Sequence, residues 1–116
     1  MSARGPRTTT CTHIDHQLRV VLGTLREEML LNNTIILFAS DHGDSLGDHG
    51  IFAKRTYYES STNIPMILAG TAGCERVGTD RVDDRLVGLQ DVMPTLLDLC
   101  GIPVPETCDG QSMLGE

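Results

Sequence analysis

The sequence predicts an α/β protein, a portion of a sandwich in which helices flank a mainly parallel sheet. Three observations predict it. One strand-length run, Thr34-Ile-Ile-Leu-Phe-Ala39, is apolar at nearly every position rather than alternately, the pattern of a strand covered on both faces. Helical apolar stripes stand before that run and near the end of the chain. Between the apolar runs lies a long, polar, glycine-rich stretch, which in a compact domain points to a functional loop.

The elements follow in order. Residues 1–10 read as a disordered tail, and residues 11–116 as a portion of one larger domain. Ile14, Leu18, Val21, Leu22, Leu25 and Met29 share one face of a 3.6-residue period, with Thr12 as N-cap and Asn32-Asn33 as the break. The Thr34–Ala39 run is the first strand. Ile64-Pro-Met-Ile-Leu-Ala69 is the second, with Pro65 tolerated near its start. Leu86–Leu89 reads as a third, short strand. Asp91 then caps a helix with Pro94 in its first turn, Leu96, Leu97 and Leu99 on its apolar side, and Gly101 as its stop. Met66 and Met93 fit as core filler. Two or three strands and two helices make too small a sheet to cover such strands on both faces, so the domain is expected to extend beyond these elements.

Composition narrows the function. The chain has 116 residues, enough for one domain, and a net charge of −7. That charge argues against nucleic acid as the partner, since phosphate binding needs a basic face. No apolar run is long enough to cross a membrane. The first ten residues have two arginines and no apolar run after them, so no signal peptide is read there, and the compartment is left open. The four cysteines, Cys11, Cys74, Cys100 and Cys108, fit no zinc-ribbon spacing; free thiols are expected, with a Cys100–Cys108 disulfide as the alternative.

The chemistry concentrates in Ser40-Asp-His-Gly-Asp-Ser-Leu-Gly-Asp-His-Gly50, directly after the first strand. In open α/β sheets, sites form beyond the carboxyl ends of the strands. Asp41 offers a carboxylate oxygen and His42 an imidazole nitrogen, both good ligands for a divalent metal. A turn after Asp41, made easy by Gly43, brings both to one ion. The plainer reading is a solvated acidic loop. Asp44 and Asp48 read as turn residues. His13 and His16 are close enough on the first helix to share a metal, yet read as solvated or packing residues. Asp83-Asp84 follows no apolar strand, so it is a metal pair by letters alone.

This loop, followed by Lys54, Tyr58-Glu59 and Pro65-Met-Ile67, resembles the sulfatase family of the alkaline phosphatase superfamily. Asp91-Val-Met-Pro-Thr-Leu-Leu-Asp-Leu-Cys-Gly-Ile-Pro103, and upstream Thr12-His-Ile-Asp-His16 and Asn33-Thr-Ile-Ile-Leu-Phe38, extend the resemblance over roughly residues 11–114. It implies a sulfatase-like α/β sandwich and hydrolysis of sulfate esters. By resemblance Asp41 and His42 are a metal-ligand pair. Lys54 is the catalytic lysine that contacts the sulfate group. His49 is either a second substrate contact or a loop-packing residue, and Glu59 a structural anchor. Calcium is the expected ion; His42, where many sulfatases carry Asn, also admits manganese or zinc. The family's formylglycine nucleophile, made within a Cys/Ser-x-Pro-x-Arg motif, is not encoded in this chain, nor is the Asp-Asp metal pair of the family's first strand. The isolated chain is therefore expected to be inactive. Two alternatives stand beside this reading. One is part of a phosphonate monoester or phosphodiester hydrolase of the same superfamily. The other is a non-catalytic remnant that binds a metal or a complementary chain.

Overall fold

The strongest helical periodicity forms α1 (Gly5–Glu27), a helix of 23 residues. The coordinates, a computed structural model, describe residues 5–70, 74–78 and 80–114. The helix begins seven residues before the expected cap at Thr12. The predicted tail is thereby corrected over residues 5–10, while residues 1–4 lie outside the described residues. Pro6 falls in the first turn, where its fixed φ suits a helix and its missing N–H has no partner to lose.

The stop also comes earlier than Asn32-Asn33. Met29 adopts a left-handed φ of 57°. The Leu30 amide then donates to the Leu25 carbonyl at 2.8 Å, and the Met29 amide to the Arg26 carbonyl at 3.1 Å. These two bonds close a Schellman motif and satisfy carbonyls that the helix leaves orphaned. Asn32 and Asn33 lie instead in a 3-10 turn, Leu31–Asn33. Helix α1 and this turn belong to one compact unit, and the described residues from Ile36 onward form a second.

The second unit is built on β1 (Ile36–Ala39) and β4 (Met66–Ala69). They pair antiparallel, Ile36 opposite Ala69 and Ala39 opposite Met66. The α/β class stands, but the expected parallel pairing does not hold for these strands. A fully apolar run is a tendency of parallel sheets, while the direction of a given pair is set by its partner strand and connection. All four β1 residues are only half-buried. β4 alternates, with Met66 and Leu68 half-buried and Ile67 and Ala69 exposed.

The polar stretch between the strands is structured. It holds a small hairpin, β2 (Ser45–Leu46) against β3 (Phe52–Ala53), and one helical turn, α2 (Glu59–Thr62). The predicted strand at Leu86–Leu89 is absent. Leu86 is fully exposed, and the Gly88 amide donates to the Asp91 carboxylate at 2.8 Å. That local bond turns the backbone into a 3-10 turn, Leu89–Asp91, rather than a ladder.

Helix α3 (Val92–Leu99) follows as predicted. It ends at Gly101, whose φ of 69° favours glycine. The Ile102 amide reaches the Leu97 carbonyl at 2.9 Å across that turn. The segment after it is fastened back onto α3 by polar bonds. Asp91 accepts the Gln111 amide at 2.9 Å, and Thr95 Oγ1 accepts the Met113 amide at 2.9 Å. Asp98 accepts from the Ser112 hydroxyl at 2.6 Å and from the Arg76 guanidinium at 2.8 Å.

The described residues bury little apolar surface. Val77 and Pro94 are the buried apolar side chains among them, beside the polar Ser45, Ser61 and Thr95. In the second unit Phe52, Ile67, Leu86 and Met93 are all at least half exposed. Met93 therefore does not fill a core within these residues.

Candidate active site

The site grows from the end of β1. The strand delivers Ser40 and Asp41 into a turn that the Ser40 hydroxyl closes by donating to the His42 carbonyl at 2.8 Å. Asp41 Oδ1 accepts the His42 amide at 3.0 Å, which fixes the carboxylate beside the imidazole. The Asp41 side chain is 80% exposed and that of His42 34%.

Gly43 is required here for a reason other than the turn. Its φ is not left-handed. A Cβ at this position would collide with the Ser60 carbonyl oxygen and meet its carbon at 3.0 Å. The Gly43 amide also donates to the Ser61 carbonyl at 2.9 Å. Glycine thus lets helical turn α2 lie directly against the end of β1.

Two hydroxyl pairs hold the intervening loop. Ser45 Oγ meets Ser60 Oγ at 2.7 Å, and Thr56 Oγ1 meets Ser61 Oγ at 3.1 Å. Ser45 and Ser61 are buried, so these bonds replace the water both hydroxyls give up. Sequence reasoning missed this clamp. The Ser60-Ser61-Thr62 run was its visible signal.

His42 is held at both ring nitrogens. Nδ1 lies 2.9 Å from the Gly43 carbonyl oxygen, a contact a ring nitrogen makes only as donor. Nε2 faces Asp41 Oδ2 at 3.2 Å and contacts the Lys54 ammonium.

Asp41, His42 and Lys54 thus lie together in the structure. His49 goes elsewhere. It sits at the tip of the β2–β3 hairpin with φ 57°, between Gly47 and Gly50, both left-handed. Its ring stacks on Tyr58, centroids 4.3 Å apart and planes 19° from parallel. Of its two readings, loop packing has this direct contact. Glu59 opens α2 and accepts from Asn63 Nδ2 at 2.9 Å, a bond within the loop. Asp48 lies in the 3-10 turn at the hairpin tip.

The other candidates separate from this cluster. His13 and His16 lie exposed on α1. Asp83 is engaged by arginine, since the Arg85 guanidinium and backbone, and then Arg81, hold its carboxyl far below the usual range. All four cysteines are free thiols. A pocket of about 390 Å³ lies among Met66, Leu68, Val77, Arg76 and Arg85, and no predicted site residue lines it.

Does the pair fit a divalent metal? Asp41 offers an exposed carboxylate and His42 its Nε2 on the same side, with Nδ1 fixed by a carbonyl as metal-binding imidazoles commonly are. The donor chemistry fits. The set is partial, because no group of three His, Cys, Asp or Glu side chains converges among the described residues. Nor is any described helix long and apolar enough to cross a membrane.

The chain is similar to known proteins in sequence and in fold. The sequence pattern of the sulfatase family matches residues 2–102. An arylsulfatase of Clostridium perfringens is 43% identical over 102 residues, 88% of this chain and 21% of that protein. A solved structure in complex with its substrate D-glucosamine-2-N,6-O-disulfate superimposes with a TM-score of 0.82 at 32% identity, over 90% of this chain and 20% of its own. A phosphonate monoester hydrolase from Silicibacter pomeroyi gives 0.79 at 32% identity, over 88% and 19%. The chain spans about a fifth of the length of these relatives.

Proposed function

The chain belongs to the sulfatase family, and from that premise we propose that it supplies part of the active site of a metal-dependent sulfuric ester hydrolase. The observation that carries the proposal is the meeting of Asp41, His42 and Lys54 at the carboxyl end of β1. Asp41 Oδ2 and His42 Nε2 would hold a divalent metal. When bound, such an ion polarises an ester oxygen and stabilises the charge that develops on it. Lys54 would meet the sulfate oxygens, where a fixed positive charge favours the transition state more than the substrate. The Gly43 carbonyl would orient the imidazole through Nδ1, leaving Nε2 to face the ion, and the hydroxyl clamp keeps the loop in register with the strand.

The ion follows from the ligand set. Calcium is the family's choice by resemblance, and the nitrogen of His42 suits manganese or zinc better. The nucleophile is not encoded in this chain, so hydrolysis needs further protein. Half-buried β1 and the exposed Ile67 and Phe52 support the same need, since an apolar strand face is stable only when covered. A complementary polypeptide carrying the rest of a sulfatase domain would meet both requirements.

A chimera tests the proposal. The corresponding segment of the Clostridium perfringens arylsulfatase is replaced by this chain, and hydrolysis of an aryl sulfate is measured. We expect metal-dependent turnover that Lys54→Ala abolishes. A soluble, folded chimera whose turnover survives Lys54→Ala contradicts the proposal. The phosphonate monoester hydrolase resemblance favours a second reading. Faster turnover of an aryl phosphonate monoester than of the sulfate would establish it.

A further inference from the structure

We infer that Ala53 is a positioning residue: its left-handed backbone takes Lys54 out of the β2–β3 ladder, away from the carboxylate of Asp44 and toward the end of β1. From the proposed function the inference takes only the purpose of this arrangement, an anion-binding Lys54. Its support is the backbone.

Ala53 is the last residue of β3 and has a φ of 82°. The other non-glycine residues with positive φ among those described, Met29, His49 and Asp80, each have a local reason. Met29 ends a helix through its Schellman bonds. His49 and Asp80 are of residue types enriched in that region, and His49 also sits at a hairpin tip. Ala53 is neither a helix end nor a hairpin tip, and alanine has no such preference. An L residue is held there at a cost, and such outliers persist where the surroundings over-determine them, often at functional sites.

The surroundings do so here. Ser45, which Ala53 faces across the ladder, is buried and bonded to Ser60. Three residues beyond Ala53, Thr56 is bonded to Ser61. One anchor lies across the ladder and one lies after the turn, and the chain bends between them.

The register shows what the bend prevents. Leu46 faces Phe52 and Ser45 faces Ala53, antiparallel. An extended Ala53 would continue the ladder by one step and set Lys54 opposite Asp44. Residues so placed have Cβ atoms about 5 Å apart, and opposite charges there attract. That pairing would hold the ammonium on the hairpin, away from the end of β1. In the structure no ion pair joins Lys54 to Asp44, and Lys54 lies instead against His42, beside Asp41.

The test is read by NMR in the full chain, without metal or substrate. Wild type should show nuclear Overhauser contacts from the Lys54 ε-methylene to the His42 ring. It should also show the strong amide–Hα contact within Ala53 that marks a left-handed residue. Ala53→Val, whose branched side chain disfavours a positive φ, should lose the His42 contacts and gain contacts from Lys54 to Asp44. Ala53→Asn, which tolerates that φ, should keep the wild-type pattern. A purely structural role would change stability without redirecting Lys54. A folded Ala53→Val that keeps Lys54 against His42 therefore overturns the inference. If that variant does not fold, wild type and Ala53→Asn decide. The left-handed signature with His42 contacts in both supports the inference, and an extended residue 53 or Lys54 against Asp44 in either overturns it. No outcome depends on metal or turnover, so failure here is distinct from failure of the proposed function, which the chimera reads through Lys54→Ala.

Discussion

Substituting Gly43 by alanine should damage the site from behind, without touching a ligand. The new Cβ would fall on the Ser60 carbonyl oxygen, with its carbon at 3.0 Å and Ser61 Cα at 3.3 Å. Ordinary contact begins near 3.4 Å, and every clashing atom is backbone, so no side chain can rotate away. Either α2 or the end of β1 must move. The movement breaks the 2.9 Å bond from the Gly43 amide to Ser61 and loosens the Gly43 carbonyl that orients His42. Overpacking of this kind costs about 1–3 kcal/mol, and the strained hydrogen bond about 1 kcal/mol more. The expected loss is therefore about 2–4 kcal/mol, read from denaturant unfolding. Misplacing a ligand by about 1 Å lowers turnover roughly 100-fold, so the Gly43→Ala chimera should lose most of its hydrolysis. Gly23 is the contrast, since its Cβ would meet nothing within 4 Å. Gly23→Ala in helix α1 should stabilise by about 0.5–1 kcal/mol. Equal stability and equal Mn2+ affinity for Gly43→Ala and wild type would refute the reasoning.

Other outcomes follow from the same coordinates. Thr95 is completely buried, and its hydroxyl joins the Asp91 carbonyl to the Met113 amide. Thr95→Val should cost about 1–3 kcal/mol, measured by thermal melting, and Thr95→Ser should restore most of it. The Ser112 hydroxyl, and after it Arg76, hold the Asp98 carboxyl below its ordinary value of 3.8. The Gln111 and Gly88 amides do the same for Asp91. A lowered folded-state pKa gives stability that is complete above the unfolded value and lost as pH falls through the folded one. Hydrogen exchange in residues 110–114 should therefore be slow above pH 3.8 and quicken only in stronger acid. Asp98→Asn should quicken exchange there already at neutral pH. Tyr58→Ala removes the ring on which His49 stacks. It should loosen the β2–β3 hairpin, seen as faster amide exchange at Gly50 and Ile51, and lower Mn2+ affinity less than threefold.

Much of this was legible in the residues, and the misses have physical causes. The periodicity of Ile14 to Leu25 and the Pro94 and Gly101 signals gave two helices, because helical stripes and their stops are local. The run from Ile36 to Ala39 gave a strand. The parallel setting it suggested did not hold for β1 and β4, because direction is set by the partner strand and connection and not by burial of one run. Leu86–Leu89 failed as a strand because a single carboxylate, Asp91, diverts the Gly88 amide. Asp41 and His42 were legible as neighbours in the letters after the strand, whereas Lys54 was joined to them only through the family resemblance. The reason for Gly43 was not legible. It depends on where Ser60 packs, a fact of the assembled loop and not of the Asp-His-Gly letters. The same holds for the stacking of His49 on Tyr58, nine residues away.

The most direct test of the account is metal content and turnover measured together in the chimera. Asp41→Ala and His42→Ala should each lose the bound ion and the hydrolysis. Lys54→Ala should keep the ion and lose only the hydrolysis. If Asp41→Ala and His42→Ala retain a full complement of metal, these residues are not its ligands and the central claim fails.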